Sequence, residues 1–382
     1  MSVCQKMVSR RLYLLLAETV LLLVLGYTFF QTTGTENQSP INHDQAVSTK
    51  GLLTMAQYGV PRDATHPENV NKVDKYIIYT CNDESCGGLA DRQEGIITSY
   101  ILSQMLKRNF GLSMERPCNF SNYVIPNLVE WQIDENMLKN RSREKKVCMN
   151  GLACGRKMKQ SDLEKMFDKD VTFYKGNIDY VPFLMDNPLF GTVQWAQNKS
   201  HHEIYRIAFS QLFKLSPSTM SKYESFNDKA RKESGKLFCA HLRIGKSKNM
   251  PTDRFRTDDR PDPITLIQFL KKKLQDFPSS KLFIATDNDE VRFQFKDAFP
   301  LTFLDIKGNI THIDQSGRND CSGFEKGILD QYVLTTCDTL VISDSGFSRT
   351  AAVVRGTDNN LFIIYQKIIT QIKRMNPSRA KY

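Results

Sequence analysis

The stretch GILDQYVLTTCDTLVISDSGFSRTAAVV, residues 327–354, contains the pattern of a helix, a strand and a second helix in one short span. Small hydroxyl and acidic residues, SDSG at 343–346, lie between the apolar strand pattern and a helix pattern that begins near Phe347. A helix that starts after such a turn presents unpaired backbone N–H groups, and these groups bind phosphate. The stretch therefore predicts a strand-turn-helix unit with an anion-binding turn.

The residues before this stretch repeat the alternation of strands and helices. Strands are predicted for LFCAHLRI at 237–244, KLFIAT at 281–286 and LTFLDI at 301–306, and helices for 263–277, 290–298 and 325–336. This order predicts a parallel sheet with helices on both faces. Ligands of such sheets bind at the carboxyl ends of the strands, which are here Arg243, Asp287, Asp305 and Ser343.

A similar unit opens the N-terminal part of the soluble body. The strand pattern KYIIYT at 75–80 is followed by the turn-rich loop CNDESCGGLADRQEG and by a helix pattern at 96–108. A chain of 382 residues is long enough for two cores. We therefore predict an N-terminal half at 74–230 and a C-terminal half at 231–382, with residues 110–225 assigned only to the remainder of the first half.

The first 73 residues predict a membrane anchor. Lys6, Arg10 and Arg11 precede an apolar run at 12–30, whose length suits a membrane-spanning helix and exceeds that of a signal-peptide core. The positive charges place residues 1–11 in the cytosol, which gives a type II topology with a luminal body. Residues 31–73 are polar and are predicted to be a flexible stem.

Sequons and cysteines agree with a luminal body. Asparagines of N-x-Ser/Thr sequons are possible glycan acceptors, and they are Asn37, Asn119, Asn140, Asn198 and Asn309. Beyond Cys4, the remaining cysteines are even in number, as a disulfide framework requires. The short loops Cys81–Cys86 and Cys148–Cys154 are predicted pairs, and zinc binding is disfavoured because neither has C-x-x-C spacing.

The formal charge of +10 does not indicate a nucleic-acid partner. Aromatic residues are not interleaved with Lys and Arg, and no nucleic-acid motif is present. A basic enzyme that acts on a phosphorylated donor fits the same charge. The composition therefore leaves an enzyme with an anionic substrate as the favoured class.

Two motifs at predicted strand ends have the chemistry of phosphate or metal binding. In AHLRIGK, His241, Arg243 and Gly245 occupy alternate positions, so they share one face of the strand. Arginine suits bidentate contact with phosphate. A structural salt bridge would also explain an arginine at this position. In TDND, Asp287 and Asp289 form a D-x-D pattern that holds divalent cations in some nucleotide-sugar transferases, although the segment also suits a helix N-cap.

Three segments resemble the GDP-fucose-dependent α-1,2, α-1,6 and protein O-fucosyltransferases. AHLRIGK is similar to their H-x-R-x-G element, CGGLADRQEGIITSYILSQMLKR to their first Gly-rich loop and helix, and residues 327–354 to their last motif, which is closest to the α-1,2 branch. The resemblance implies a GT-B-like fold of two Rossmann-like halves with the donor in the cleft. It also implies inverting transfer of fucose without a metal or other cofactor.

The resemblance also implies roles for individual residues. Arg243 would hold the β-phosphate, and His241 and Asp330 would meet the guanine. Ser345, Phe347 and Ser348 would line the pyrophosphate and fucose, and the remaining donor-binding candidates are Gly88, Arg92, Gly245 and Asp287.

The chain also departs from the family pattern. Ile244 and Lys246 occupy the region where a second Arg or an Asp is usual, and Asp91 replaces an Asn. The candidates for the general base are Asp253 and Asp91. We expect a fucosyltransferase of the Golgi membrane that acts on a glycan or glycoprotein. The alternatives are a metal-dependent D-x-D transferase and a glycan-binding homologue without activity.

Overall fold

The computed structural model describes residues 73–374, except 233–234, 247, 249–250, 255, 258 and 315–319. The predicted cytosolic tail, the membrane helix at 12–30, the stem up to residue 72 and Asn37 lie outside the described residues. No helix within the described ranges is long and apolar enough to span a bilayer. All described residues belong to one unit of the chain.

The N-terminal half is built on a parallel four-stranded sheet. Its elements are β1 (Val73–Thr80), α1 (Leu89–Met105), β2 (Arg108–Ser113), β3 (Val124–Pro126), β4 (Arg143–Cys148), α2 (Ala153–Gln160), α3 (Leu163–Met166), β5 (Val171–Gly176), α4 (Val181–Met185), α5 (His201–Leu212), β6 (Phe213–Leu215) and α6 (Pro217–Ala230). The strand order is β2-β1-β5-β4, and β3 pairs with β6 in a separate antiparallel ribbon. Short 3₁₀ helices lie at Glu84–Cys86, Phe120–Asn122, Glu135–Leu138, Pro188–Thr192 and Gln194–Ala196.

The C-terminal half is built on a six-stranded sheet. Its elements are β7 (Leu237–Leu242), α7 (Pro263–Gln275), β8 (Lys281–Thr286), α8 (Asp289–Ala298), β9 (Phe303–Leu304), α9 (Cys321–Leu334), β10 (Thr339–Ile342), α10 (Gly346–Arg355), β11 (Leu361–Tyr365) and β12 (Ile368–Gln371). The order is β12-β11-β10-β7-β8-β9, and all neighbours are parallel except β11 and β12. The predicted α/β fold with parallel sheets is therefore confirmed.

Some elements differ from the sequence-based prediction. Helix α1 begins at Leu89, several residues before the predicted start at 96. Strand β4 was not predicted because its sequence REKKVC is charged. It lies at the edge of its sheet and pairs only with β5, so its charged side chains protect an otherwise open edge.

The two sheets share one hydrophobic core. Along β1, Ile77 and Tyr79 face this shared core while Tyr76 and Ile78 face a smaller outer cluster, as the two-residue period of a strand requires. Leu340 and Ile342 of β10 enter the same shared core from the second sheet. The halves therefore bury one continuous apolar interior between them.

Helix α1 packs unusually close to the first sheet at Gly95. A Cβ atom at this position would lie 2.1 Å from the carbonyl oxygen of Gly176, at the end of β5. A side chain at position 95 would therefore push the helix away from the sheet, and with it the site residues in its first turns.

Four disulfides stabilise the described chain. Cys81–Cys86 and Cys148–Cys154 confirm the two predicted pairs. Cys239–Cys337 links β7 to the segment before β10. Cys118–Cys321 joins the N-terminal half to the start of α9 across a sequence separation of 203 residues.

Candidate functional site

The strand order of each sheet reverses at one position, and the two positions face the same cavity. In the C-terminal sheet the chain leaves β7 toward β8 and β9 and returns to its other side with β10, so the reversal lies between β7 and β10. In the N-terminal sheet it lies between β1 and β5. Ligands of open α/β sheets bind outside the carboxyl ends of the strands at such points.

The cavity has a volume of about 450 Å³ and is lined from both halves. The loop after β1 contributes Gly88, the first turn of α1 contributes Asp91, and the residues after β5 contribute Asn177 and Ile178. The ends of β7 and β8 contribute Arg243 and Asp287, and helices α9 and α10 complete the wall. Of the predicted site residues, the lining includes Gly88, Asp91, His241, Arg243, Asp287, Asp330, Ser345 and Phe347.

Arg243 lies at the switch point of the C-terminal sheet. Its backbone N–H donates to Ser343 Oγ at 3.0 Å, which joins the ends of β7 and β10. Its guanidinium forms ion pairs with Asp287 and with Asp253, the latter at 2.5 Å. Burial alone would lower the pKa of Arg243, but the two carboxylates outweigh it and raise that pKa above its usual value. Arg243 is therefore a fixed cation at the cavity wall.

Asp287 organises the HLRIG segment. Its carboxylate accepts from the backbone N–H groups of Ile244 at 2.7 Å and Gly245 at 2.9 Å, as well as pairing with Arg243. One buried side chain therefore sets both the path of the chain after β7 and the position of the guanidinium.

The D-x-D segment acts as a helix start. Asn288 is the N-cap of α8, and its side chain accepts from the N–H of Val291 at 3.2 Å, as the N-cap interpretation predicts. Asp289 pairs with Arg292 at 2.5 Å. Both carboxylates of the motif are therefore neutralised by arginine, which disfavours the divalent-cation hypothesis. Within the described ranges, no group of three or more His, Cys, Asp or Glu residues is arranged to hold a metal ion.

His241 is held in place by two hydroxyls and a ring. Its Nδ1 lies 3.0 Å from Ser348 Oγ and 3.2 Å from Ser343 Oγ, and its ring packs on Phe347 with centroids 5.0 Å apart. Ser348 itself is fully buried and is not among the residues that line the cavity, so its contact with the donor stays a prediction. Its position orients the imidazole.

The start of α10 opens onto the cavity, as the opening stretch predicts. The N-cap residue is Ser345, whose side chain makes no capping hydrogen bond to the helix. Ser345, Gly346 and Phe347 all line the cavity. The positive end of the helix dipole is thus available to an anion.

The Gly-rich loop after β1 is held by its own polar side chains. The Asp91 carboxylate accepts from the N–H of Gly88 at 2.7 Å, which closes the first turn of α1. Arg92 was predicted to contact the donor, but it is fully buried and outside the cavity lining. Its guanidinium donates to the carbonyls of Gly87 at 3.1 Å and Arg116 at 2.6 Å, so it supports the loop from beneath.

Asp330 and Lys326 form a buried pair on α9. Lys326 Nζ donates to the two carboxylate oxygens of Asp330 at 2.9 and 3.0 Å, and both residues line the cavity. Burial raises the pKa of Asp330 to about 6, although Lys326 opposes this shift. The pair presents an acceptor next to a donor at one end of the cavity.

Asp253 and Gly245 also lie outside the cavity lining. Asp253 is buried and paired with Arg243, which disfavours the predicted role as general base and makes it a positioning residue. Gly245 has φ +82, and a Cβ there would lie 2.8 Å from both the Arg254 carbonyl oxygen and Arg256 Cγ. The glycine therefore makes room for this returning loop rather than for a ligand.

Several cavity residues were not predicted. Glu94 is 2% exposed, one turn beyond Asp91, and its Oε2 accepts from the N–H of Asp179 at 3.2 Å. Thr286, His312, Lys326 and Arg256 also belong to the polar lining. The sequence offers little signal for them. Glu94 and Lys326 are polar positions on helices, and Thr286 is the last residue of a strand. His312 and Arg256 lie between regular elements, so none of these residues belongs to an apolar period.

The described sequon asparagines are all exposed: Asn119, Asn140, Asn198 and Asn309. Asn309 differs from the others because it also lines the cavity. A glycan on Asn309 would therefore lie at the cavity mouth.

Comparisons with known proteins identify the fold. No family model matches the sequence, and no curated protein matches it. Among solved structures, a mutant of Arabidopsis thaliana FUT1 in complex with GDP aligns with a TM-score of 0.53 and 12% identity, over 76% of this chain and 70% of that one. Fucosyltransferase NodZ from Bradyrhizobium aligns with a TM-score of 0.48 and 12% identity, over 80% of this chain and 100% of that one. POFUT1 in complex with GDP-fucose aligns with a TM-score of 0.42 and 12% identity, over 77% of this chain and 97% of that one. The chain thus shares the fold of the FUT1 structure.

Proposed function

We propose that this protein is an inverting glycosyltransferase that transfers L-fucose from GDP-fucose to a glycan acceptor. The observation that supports this best is the single cavity at both switch points, where Arg243 and the open start of α10 provide fixed positive charge. The shared fold with a GDP-bound FUT1 structure agrees with a nucleotide-sugar donor.

In the proposed complex the donor lies mainly on the C-terminal half. Arg243 and the N–H groups at the start of α10 hold the diphosphate, and Ser345 and Phe347 lie beside the fucose. His241 and the Lys326–Asp330 pair meet the guanine, because a donor next to an acceptor matches its O6 and N1–H groups. Asp253 and Asp287 keep Arg243 in place.

The reaction breaks the bond between fucose C1 and the β-phosphate oxygen and forms a bond from the acceptor hydroxyl oxygen to C1. The electron pair of the broken bond stays on GDP, where Arg243 and the helix dipole stabilise the added charge. The acceptor proton passes to a carboxylate of the N-terminal half. Asp91 is the proposed base because it lines the cavity on that side, whereas Asp253 does not.

The remaining parts of the proposal concern location and acceptor. The apolar run at 12–30 anchors the protein in the Golgi membrane with its catalytic body in the lumen. The α-1,2 linkage to a terminal sugar follows from the resemblance of residues 327–354 to that branch, and the four disulfides agree with an oxidising compartment. No metal or other cofactor takes part in this mechanism.

The test is transfer by the full-length protein in detergent, with GDP-fucose and a panel of glycan acceptors. We expect acceptor-dependent release of GDP that persists in EDTA. Loss of activity in EDTA with recovery in manganese would favour the D-x-D alternative instead. GDP-fucose binding without any transfer across the panel would favour the inactive glycan-binding homologue.

A further inference from the structure

The chain after β7 folds back on itself and brings a second arginine to the site. Gly245, at φ +82, turns the chain, and the N–H of Lys246 donates to the carbonyl of Arg254 at 3.0 Å. This contact returns Arg254 and Arg256 to the end of β7. The stem of Arg256 then packs over Gly245, where a Cβ atom would lie 2.8 Å from Arg256 Cγ.

Arg256 is buried and yet faces the cavity. The residue is 5% exposed and belongs to the cavity lining together with Arg243. One nitrogen, Nη2, pairs with Asp259 and donates to the carbonyl of Asp344 at 2.9 Å. These contacts fix the guanidinium next to the start of α10, whose N-cap is Ser345.

The same guanidinium retains an unused donor. Arg256 Nε is buried and has no hydrogen-bond partner among the described residues, and the same holds for the hydroxyl of Thr286. Both residues line the cavity. A buried polar group without a partner is costly, so two such groups at one cavity indicate that a bound ligand supplies the missing partners.

The charges around Arg256 indicate the sign of that ligand. The pKa of Arg256 is lowered chiefly by burial, and the positive charges of Arg254 and Arg243 lower it further against the opposing effect of Asp259. Arg243 already has two carboxylate partners, whereas Arg256 has one ion-pair partner among the described residues. An anion between the two guanidinium groups would offset the repulsion between them.

We propose that Arg256 is a second phosphate-binding residue, which donates its Nε–H to the terminal phosphate of GDP opposite Arg243. This inference rests on the proposed function and adds a residue from a different part of the chain to the donor site. In the reaction, Arg256 then stabilises the charge that appears on this phosphate as the bond to fucose breaks.

The experiment measures GDP and GMP binding by calorimetry for the full-length wild type and for Arg256→Gln. GMP lacks the terminal phosphate, so we expect Arg256→Gln to bind GDP about 10- to 100-fold more weakly while GMP binding changes by less than about threefold. Lys246→Gln is the matched control, because it removes an equal charge from an exposed side chain of the same returning segment that lies outside the cavity lining. We expect it to weaken GDP binding by no more than about threefold.

The outcomes separate the inference from the function on which it rests. If the wild type does not bind GDP, both fail. If the wild type binds GDP and Arg256→Gln binds it equally well, or loses GDP and GMP affinity alike, only the inference is overturned. Should Arg256→Gln not fold, Arg256→Lys keeps the stem and the charge but lacks the Nε donor. It should then show the same selective loss of GDP affinity, and unchanged GDP affinity would overturn the inference.

Discussion

The side-chain amides of Gln93 and Gln331 donate to each other, with Nε2 to Oε1 distances of 2.6 and 3.0 Å. This pair joins α1 of the N-terminal half to α9 of the C-terminal half, and Gln331 also donates to the carbonyl of Phe347 at 3.3 Å. Three helices that line the cavity therefore meet at one buried hydrogen-bonded cluster.

Removal of both partners of this pair should cost less than the sum of the two single removals. Gln93→Leu leaves the amide of Gln331 buried without its partner, so we expect a loss of about 1 to 3 kcal/mol in the free energy of unfolding. The double variant Gln93→Leu with Gln331→Leu should lose less than the sum of the two single variants. Urea unfolding of all four proteins measures this, and strict additivity would contradict direct coupling.

Substitution of Arg243 by lysine should abolish most transfer although the charge is kept. Lysine cannot reproduce the planar fork that meets Asp253, Asp287 and a phosphate together. We expect a loss of about 2 to 4 kcal/mol in transition-state stabilisation. Fucose transfer and GDP binding are measured after circular dichroism confirms folding, with the exposed Lys246→Arg as control. Wild-type turnover by Arg243→Lys would refute the assignment of this residue.

The two carboxylates of the D-x-D segment should differ in their contribution to stability. Asp287→Asn weakens the buried contact to Arg243 and two backbone N–H groups, so it should lower the free energy of unfolding by about 3 kcal/mol. Asp289→Asn weakens the partly exposed pair with Arg292 and should cost less than about 1 kcal/mol. Guanidinium unfolding distinguishes them. If both variants lost manganese binding and showed equally small changes in the free energy of unfolding, the results would support a metal site instead.

Asp330 should make folding stability fall as the pH rises through mildly acidic values. Its folded pKa of about 6 lies above the ordinary value of 3.8, so the folded state holds the proton more tightly. The contribution of Asp330 to the free energy of unfolding is therefore fully present below pH 3.8. It is lost as the pH rises to about 6, and the total loss is about 3 kcal/mol. Unfolding from pH 4 to 7 tests this, and Asp330→Asn should remove the downward component of the slope.

The same titration should affect nucleotide binding in the opposite direction. Ionised Asp330 accepts from guanine N–H groups in the proposed complex, whereas the protonated form does not. GDP affinity should thus fall by about tenfold more between pH 7 and pH 5 for the wild type than for Asp330→Asn. GDP itself titrates equally in both experiments, so the comparison with the variant removes that contribution. Parallel curves of GDP affinity against pH for the two proteins would exclude Asp330 from base recognition.

The Cys118–Cys321 disulfide, which joins the two halves, should contribute more to the free energy of unfolding than the Cys148–Cys154 disulfide, which closes a short loop. Loss of Cys118–Cys321 opens a loop of 203 residues and should cost about 5 kcal/mol in the chain-entropy description. Loss of Cys148–Cys154 opens only a short loop and should cost about 2 kcal/mol. Paired Cys→Ser variants are compared by guanidinium unfolding. A larger effect for the short loop would show that local packing dominates.

The sequence predicted most strands of the C-terminal half because they are apolar runs between turn signals. Strand β8, for example, has the predicted bounds Lys281–Thr286. The start of α1 was missed because Arg92, Gln93 and Glu94 are polar although they are buried. Most of their partners are carbonyls, amides and N–H groups that are distant in the sequence, and a local hydrophobic period carries no information about such contacts.

The candidate site was predictable only where a motif and a strand end coincide. His241, Arg243, Asp287 and Ser345 lie at or shortly after the carboxyl ends of strands and line the cavity as a parallel sheet requires. Arg256 reaches the same cavity through the turn at Gly245 and the contact of Lys246 with Arg254. Such a return depends on backbone conformation and distant contacts, and no spacing in the sequence reveals it.

The shared core and the Cys118–Cys321 link also bear on how this protein can diverge or be redesigned. Two-part transferases invite exchange of one half to graft a new acceptor preference onto an existing donor site. Here an incoming first half would have to supply a cysteine at position 118 and an amide at position 93, together with apolar side chains that fill the common interior. Under the proposed function, new acceptor preferences are therefore more accessible through substitutions in the loops after β1, β4 and β5 than through exchange of whole halves.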